Sequence, residues 1–261
     1  WLPTRAGGDV DDGALGEAIR AGALVAVTLV QHETGAVTRW RAVRDACASA
    51  GATLVIDAVQ ALGKVPLDVG VTGAAAVALS AHKIGGPAGV GALWLAAGAR
   101  VVQRVRGGGQ ERGVRAGTEN LLGVVGFGAA ASTVTRRLRA LTEVARRRDV
   151  IERAVLAAGD VVVNGIERER VATASHVSIR GLSGQELVAA LDLEGLCVSS
   201  GAACSSGRAE PSESLLRLYP GEAWRADGAL RVTLAPCTTD AEAARAAEVI
   251  PALIARVRCE R

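Results

Sequence analysis

Residues 53–83 read TLVIDAVQALGKVPLDVGVTGAAAVALSAHK and contain two short apolar runs, Thr53–Ile56 and Ala74–Ser80. Short apolar runs that do not alternate with polar residues are typical of strands buried in a parallel sheet. Ligands of such sheets bind outside the carboxyl ends of the strands. The sequence therefore predicts a single site built from the polar residues that end or follow these runs: Asp57, Ser80, His82 and Lys83.

The same pattern continues on either side of this region. We predict a buried strand over Leu24–Gln31, a helix over Trp40–Ala50 and another strand over Gly91–Leu95. Strands that alternate with helices predict an α/β fold whose sheet is covered on both faces. Because Gln31 ends the first predicted strand, we expect its amide to belong to the same site.

The second half of the chain predicts a smaller α+β domain. One or two long helices from about residue 120 to residue 156 form the predicted connection between domains. We therefore predict a large domain over residues 1–138 and a small domain over residues 139–261. The predicted elements that follow the connection are the strands Val161–Val163, His176–Ile179 and Leu230–Leu234 and the helices Gly184–Asp192 and Asp240–Val257.

The composition excludes several classes of protein. The chain has 261 residues, of which 49% are apolar and 22% charged, as is typical of a globular protein. A net charge of +3 is no evidence for a nucleic-acid partner, and no apolar run has the length of a membrane span. Five cysteines without close pairs favour a reducing compartment, so we expect a cytoplasmic protein. Because the chain begins with Trp1 and lacks methionine, we expect that an N-terminal part is missing.

Lysine is rare in this chain. Only two of its 30 lysine and arginine residues are lysine, Lys64 and Lys83. Lysine forms a Schiff base with a carbonyl compound and arginine cannot, so a lysine kept in such a chain raises the question whether an amine is required. Before the context is considered, drift explains either lysine equally well.

Three polar positions each have a chemical and a structural interpretation. Asp57, three residues before Gln60, would pair with the ring nitrogen of a pyridoxal cofactor or cap the next helix. His82 would belong to a cofactor site or serve as a structural histidine. Arg231 begins a predicted strand, where it would bind a substrate carboxylate or lie on the surface.

The cysteines and glycines predict no metal or nucleotide site. Neither CxxC nor HxxxH spacing is present, and GGGQERG at residues 107–113 does not fit the dinucleotide-binding pattern. Cys204 lies in SSGAACSSG at residues 199–207, a small and polar segment in which we expect an exposed, reactive thiol. We expect Cys197, which follows Leu196 in a strand-like run, to be an inert core thiol.

An ordered set of segments runs through the whole chain: QHETG at 31–35, DAVQ at 57–60, SAHK at 80–83, GGGQERGVRAGTEN at 107–120, SSGAACSS at 199–206, EPS at 210–212 and the strand of Arg231. Together they resemble the cysteine desulfurases of the NifS/IscS type, which belong to the class V aminotransferase group of fold-type I pyridoxal-phosphate enzymes. The resemblance implies an aspartate-aminotransferase-like large domain, incomplete at its N-terminus, and a small C-terminal domain with the catalytic cysteine loop.

The resemblance implies that five residues of one subunit hold pyridoxal 5'-phosphate. Lys83 would form a Schiff base with the cofactor and serve as the base that removes a proton from the substrate. Asp57 would pair with the ring nitrogen, and Gln60 would bond the ring hydroxyl. Ser80 and His82 would bind the phosphate.

The resemblance also implies roles outside the ring site. Thr118 would reach the phosphate from the second subunit of a homodimer, and Arg231 would bind the carboxylate of L-cysteine. Gln31, where the family usually has Asn, would contact substrate or cofactor. Cys204 would take the sulfur atom as a persulfide, release alanine and pass the sulfur to an acceptor protein for iron–sulfur cluster, thio-cofactor or tRNA synthesis.

Two alternatives remain open at this stage. The family has a phosphate-binding turn and a ring-stacking His in its N-terminal portion, and no candidate for either precedes Lys83. The chain would then be an inactive truncated relative that acts as a binding module. The other alternative is a different lyase of the same group, acting on selenocysteine or cysteine sulfinate.

Overall fold

The computed structural model describes residues 1–201 and 211–260, which form two compact units. The parallel-sheet unit comprises Asp12–Leu29 and Arg39–Leu138. The antiparallel-sheet unit comprises Trp1–Asp11, Val30–Thr38 and the chain from Arg139 onward.

The parallel-sheet unit is built on four strands. They are β1 (Leu24–Thr28), β2 (Thr53–Asp57), β3 (Ala76–Ser80) and β4 (Gly91–Leu95), and they lie side by side in chain order. The first three are parallel, and β4 is antiparallel to β3. All four predicted strands are therefore confirmed, although β1 ends at Thr28 rather than at Gln31, and β3 begins two residues later than predicted.

Helix α2 (Trp40–Ala50) packs on β2, and the short helix α1 (Asp12–Ala18) packs on α2. The predicted bounds of α2 are confirmed, and Trp40, Val43 and Cys47 form its buried stripe at helical spacing. The expected cover on both faces is wrong for β1 within the described residues. Its residues alternate between exposed and buried, so one face of β1 is left uncovered by the described residues.

The predicted helical connection consists of two helices, α3 (Leu121–Ala131) and α4 (Val134–Leu156). The break falls at Ser132 and Thr133, whose hydroxyls donate to the carbonyls of Ala129 and Ala130. Such side-chain bonds compete with the regular helical pattern. The side chain of Asn120 caps the start of α3 by accepting from the Gly123 amide at 3.0 Å.

The antiparallel-sheet unit has three strands, β5 (Val161–Val163), β6 (Ala174–Ile179) and β7 (Ala229–Thr233), with β6 in the middle. Every residue of β6 is buried. The core is completed by the second half of α4 and by two further helices, α5 (Gly184–Leu193) and α8 (Asp240–Cys259). Two short helices, α6 (Glu213–Leu218) and α7 (Trp224–Asp227), precede β7.

Two early segments belong to this second unit because backbone and side-chain bonds tie them to it. The Arg168 guanidinium donates to the carbonyls of Gly8 at 3.0 Å and Val37 at 2.8 Å. The Val171 amide also donates to the Gly35 carbonyl at 2.9 Å. A large domain over residues 1–138 and a small domain over residues 139–261 remain our proposal. Residues 1–11 and 30–38, which the prediction placed in the large domain, lie in the antiparallel-sheet unit.

Among the described residues, no helix combines the length and the apolar character that crossing a bilayer requires.

Gly184 at the start of α5 lies where a side chain does not fit, because an added Cβ would overlap the Ala229 carbonyl oxygen. We expect Gly184→Ala to lower the free energy of unfolding by about 1–3 kcal/mol, the usual cost of overpacking. Gly16→Ala in α1 is the matched control, since its Cβ would meet nothing within 4 Å. From helix propensity alone, we expect the free energy of unfolding of the control variant to rise by up to about 1 kcal/mol. Urea denaturation of both variants measures this, and equal effects would contradict the packing argument.

Candidate functional site

The carboxyl ends of β2 and β3 lie at one edge of the parallel sheet. Asp57 is the last residue of β2 and pairs with Ala78 of β3. Ser80, the last residue of β3, therefore lies two positions, or about 7 Å, further along the same edge. The predicted juxtaposition of these polar residues within this unit follows from the parallel register.

The turn after β2 presents Asp57 and Gln60 in different ways. Asp57 is exposed, and its Oδ1 accepts from the Val59 amide at 2.9 Å, while Ala58 between them is fully buried. The Gln60 side-chain oxygen accepts from Lys64 Nζ at 2.5 Å. Lys64 therefore has a local structural partner.

Ser80, His82 and Lys83 occupy a single turn of 3₁₀ helix, Ala81–Ile84, with Ser80 at its N-cap. Ala81 and Ile84 are buried, whereas His82 and Lys83 between them are exposed. Because residues three apart eclipse in a 3₁₀ helix, burying the outer pair turns the inner pair toward solvent. The hydroxyl oxygen of Ser80 lies 2.8 Å from His82 Nδ1, so the two side chains form one polar group.

Lys83 carries an accessible amine. Within residues 1–201 and 211–260, no hydrogen bond or ion pair engages its Nζ. Pyridoxal phosphate needs an amine for its aldehyde, an anion for its ring nitrogen and donors for its phosphate. Lys83, Asp57 and the Ser80–His82 pair supply these groups from one sheet edge, so the residues present fit this cofactor.

Thr118 lies exposed in the loop before α3. Gly117 before it has a φ of +111°, a conformation that favours glycine, and its amide donates to the Gln110 side chain at 3.3 Å. The predicted role of Thr118 in the cofactor site of a second subunit stays a prediction.

Gln31 and Arg231 lie in the antiparallel-sheet unit. The Gln31 side-chain oxygen accepts from the amides of Glu33 and Thr34 at 2.8 and 2.6 Å, so it holds its own turn. Arg231 lies in the middle of β7 rather than at the start of a strand, and its Nη1 donates to the carbonyls of His32 and Gly201 at 3.1 and 3.3 Å. Their predicted contacts with substrate stay predictions.

The cysteines divide by burial. Cys204 lies outside the described residues. Cys197 is exposed and lies in no helix or strand, so the expectation of an inert core thiol is wrong there. The apolar residues beside it, Leu196 and Val198, are the ones that pack on the core. Cys47 is buried in α2, and burial raises the pKa of its thiol.

Sequence patterns missed a buried polar cluster in the antiparallel-sheet unit. Glu33, Asn164, His176 and Ser212 are all at least 97% buried. His176 Nδ1 is hydrogen-bonded to the side-chain nitrogen of Asn164 at 3.0 Å, while its Nε2 has no hydrogen-bond partner in the described residues. The alternation of polar and apolar residues in HVSI at 176–179 indicates that the two faces of β6 differ in polarity, but it does not indicate that both are buried.

Burial gives His176 an unusual protonation behaviour. Desolvation lowers its pKa from the ordinary value of 6.5 to about 4, with Glu33 partly opposing the shift and Arg231 and His32 adding to it. The folded state therefore holds a neutral imidazole over a pH range in which the unfolded chain is protonated.

We expect the free energy of unfolding to fall as the pH is lowered from about 6.5 to about 4, because only the unfolded state gains a proton there. The contribution of His176 to this loss is on the order of 3 kcal/mol. Urea denaturation at several pH values measures it, and His176→Asn is expected to flatten this part of the profile. The same change at exposed His82 is the control. Parallel profiles for wild type and His176→Asn would contradict the assignment.

Comparison with known proteins finds one family and its members along most of the chain. Residues 1–245 match the family described as aminotransferase class V. The IscS-like cysteine desulfurase of Mycobacterium tuberculosis is 37% identical over 270 residues, which cover 99% of this chain and 67% of that protein. The cysteine desulfurase of Cereibacter sphaeroides is 41% identical over 237 residues, covering 90% of this chain and 60% of that protein. The chain thus spans about 60–67% of the length of these relatives.

Solved structures agree on the fold. The NifS-like protein from Rickettsia africae superposes with a TM-score of 0.87 at 23% identity, over 98% of this chain and 69% of that one. The cysteine desulfurase from Thermococcus onnurineus superposes with a TM-score of 0.83 at 19% identity, over 98% of this chain and 66% of that one. The α/β fold predicted from the sequence is confirmed.

Proposed function

This chain belongs to the class V aminotransferase family, and from that membership we propose that it is a pyridoxal-phosphate-dependent cysteine desulfurase. The observation that carries the proposal is the accessible Lys83 amine beside the Ser80–His82 pair, on the sheet edge that ends in Asp57. The similarity to cysteine desulfurases at 37 and 41% identity supports the choice within the family.

We propose that six residues hold the cofactor, which when bound withdraws electrons from the substrate carbon next to the amino group. Lys83 Nζ would bind the aldehyde carbon, and the Asp57 carboxylate would keep the ring nitrogen protonated. Gln60 donates to or accepts from the ring hydroxyl. The remaining contacts, to the phosphate, come from Ser80, His82 and, across a homodimer, Thr118.

The chain's own acids and bases then act on L-cysteine. Lys83 Nζ would accept the proton of the substrate Cα, a role that suits an amine of tunable pKa. The Arg231 guanidinium binds the substrate carboxylate, and the Gln31 amide orients the substrate. We place the protein in the cytoplasm.

Cys204 is the proposed sulfur acceptor. Its thiolate would attack the substrate sulfur, so that a sulfur–sulfur bond forms on Cys204 as the carbon–sulfur bond breaks. The electron pair of the broken bond stays on the substrate carbon, which takes up a proton, and Lys83 returns the Cα proton, so that L-alanine leaves. The persulfide then passes its outer sulfur to the thiol of a carrier or scaffold protein, for iron–sulfur cluster, thio-cofactor or tRNA synthesis.

The scarcity of lysine makes the cofactor assignment directly testable. The chain is mixed with pyridoxal phosphate, reduced with borohydride and mapped by mass spectrometry. We expect a visible absorption band before reduction and a cofactor adduct on Lys83, because Lys64 is engaged with Gln60. Lys83→Arg is expected to lose the band, and Lys64→Arg, which retains a donor for Gln60, to keep it. An adduct on Lys64, or no band in the wild type, would overturn the proposal and favour an inactive relative.

The sulfur step has its own test. With L-cysteine and a reducing thiol, we expect equal amounts of alanine and sulfide from the wild type. Cys204→Ala is expected to lose at least about 100-fold in kcat, because the nucleophile is absent. Cys237→Ala, which removes an exposed thiol elsewhere, is the matched control. Undiminished turnover in Cys204→Ala would rule out the persulfide role. A wild type that turns over only cysteine sulfinate or selenocysteine would point to the other lyases.

A further inference from the structure

Gly201 is packed against a buried imidazole and a buried carboxyl group. A Cβ at this position would lie 2.8 Å from His176 Nε2, closer than real Cβ atoms approach, and 3.0 Å from Glu33 Oε2, which is tighter than most Cβ contacts. The residue has a φ of +93°, which favours glycine, and its carbonyl accepts from Arg231 Nη1 at 3.3 Å. Three features therefore fix the position of Gly201: the lack of space for a side chain, the positive φ and the hydrogen bond to its carbonyl.

The orientation of the His176 ring follows from a chain of donors. Arg225 can only donate, and its Nη1 donates to the side-chain oxygen of Asn164 at 3.2 Å. This fixes the Asn164 amide nitrogen toward Ser178 at 2.7 Å and toward His176 Nδ1 at 3.0 Å. His176 Nδ1 must then accept, so the neutral ring carries its proton on Nε2, the atom that faces Gly201.

Glu33 also contacts Ser212, eleven residues after Gly201 in the sequence. Its Oε2 accepts from the Ser212 hydroxyl at 2.5 Å, and Ser212 caps α6 by accepting from the Leu215 amide at 3.1 Å. Gly201 and Ser212 thus share the Glu33 carboxyl as a common contact. In the sequence, these two residues flank the segment that contains Cys204.

We infer that Glu33 and His176 form an anchor (Glu33, His176, Gly201 and Ser212) that fixes the two attachment points of the Cys204 segment. They are positioning residues: they act through Gly201 and Ser212 and not on the substrate. The inference deepens the proposed function and rests on it, because the anchor matters to catalysis only if Cys204 accepts sulfur.

Gly201→Ala tests the anchor at its first contact. Gly221→Ala is the matched control, because Gly221 also has a positive φ, +89°, but its Cβ would meet nothing within 4 Å. The rate of alkylation of Cys204 by iodoacetamide is measured by peptide mass spectrometry against Cys237 in the same molecule. We expect Gly201→Ala to change the Cys204 rate several-fold, with the Cys237 rate unchanged, and Gly221→Ala to change neither.

Kinetics of the cofactor-loaded enzyme give a second readout. For Gly201→Ala we expect the cofactor band to stay near the wild-type value. We expect kcat to fall between about 10- and 100-fold, since misplacement of a reacting group by about 1 Å has effects of this size. A general loss of folding would instead lower the cofactor band and change the alkylation rate of Cys237 together with that of Cys204.

Ser212→Ala tests the second contact with a milder change. It removes the bond to Glu33 and the cap of α6, whereas the control Ser183→Ala removes only a cap, that of α5. We expect Ser212→Ala alone to change Cys204 alkylation and kcat. If each variant matches its control in both readouts, the anchor is wrong. If the wild type makes no alanine, the proposed function fails, and the alkylation rates still decide whether the anchor exists.

Discussion

The parallel pairing of β2 with β3 is the constraint on which the candidate cofactor site depends. Its register sets Asp57 opposite Ala78, so the polar residues that follow both strands emerge at one edge. The single 3₁₀ turn after β3 then decides which of them face solvent, because burying Ala81 and Ile84 leaves His82 and Lys83 outside. A slip of one residue in this pairing would send every side chain of the strand to the other face.

The antiparallel-sheet unit is organised by a different requirement. Its central strand β6 is buried on both faces although it contains Ser175, His176 and Ser178. Burying polar groups is costly unless they are hydrogen-bonded, and each serine is: Ser175 donates to Glu152 at 2.6 Å, and Ser178 donates to the Arg225 carbonyl at 2.7 Å. Among the residues that the structure describes, His176 has a hydrogen-bond partner for Nδ1 but none for Nε2, and Nε2 faces Gly201.

The two lysines of this arginine-rich chain differ in their contacts. Lys64 binds the Gln60 side chain and so stabilises the turn after β2. Lys83 has no such task within the described residues, and it lies on an exposed turn beside a hydroxyl and an imidazole. In a chain that otherwise uses arginine, one lysine therefore serves a local structural contact, and the other carries the accessible amine that we propose for the cofactor.

Sequence periodicity and strand ends were sufficient to predict the strands β1 to β4, the bounds of α2, and the grouping of Asp57 with Ser80, His82 and Lys83. These follow from local rules: apolar runs make strands, and parallel strands share an edge. The sequence could not show that Cys197 is exposed, that one face of β1 is uncovered in the described chain, or that Arg231 lies within a strand. Burial depends on which elements pack together, and that is decided only by the tertiary structure. The same reason hid the Glu33–His176 contact with Gly201, because residues 33, 176 and 201 meet only when distant parts of the chain are folded against one another.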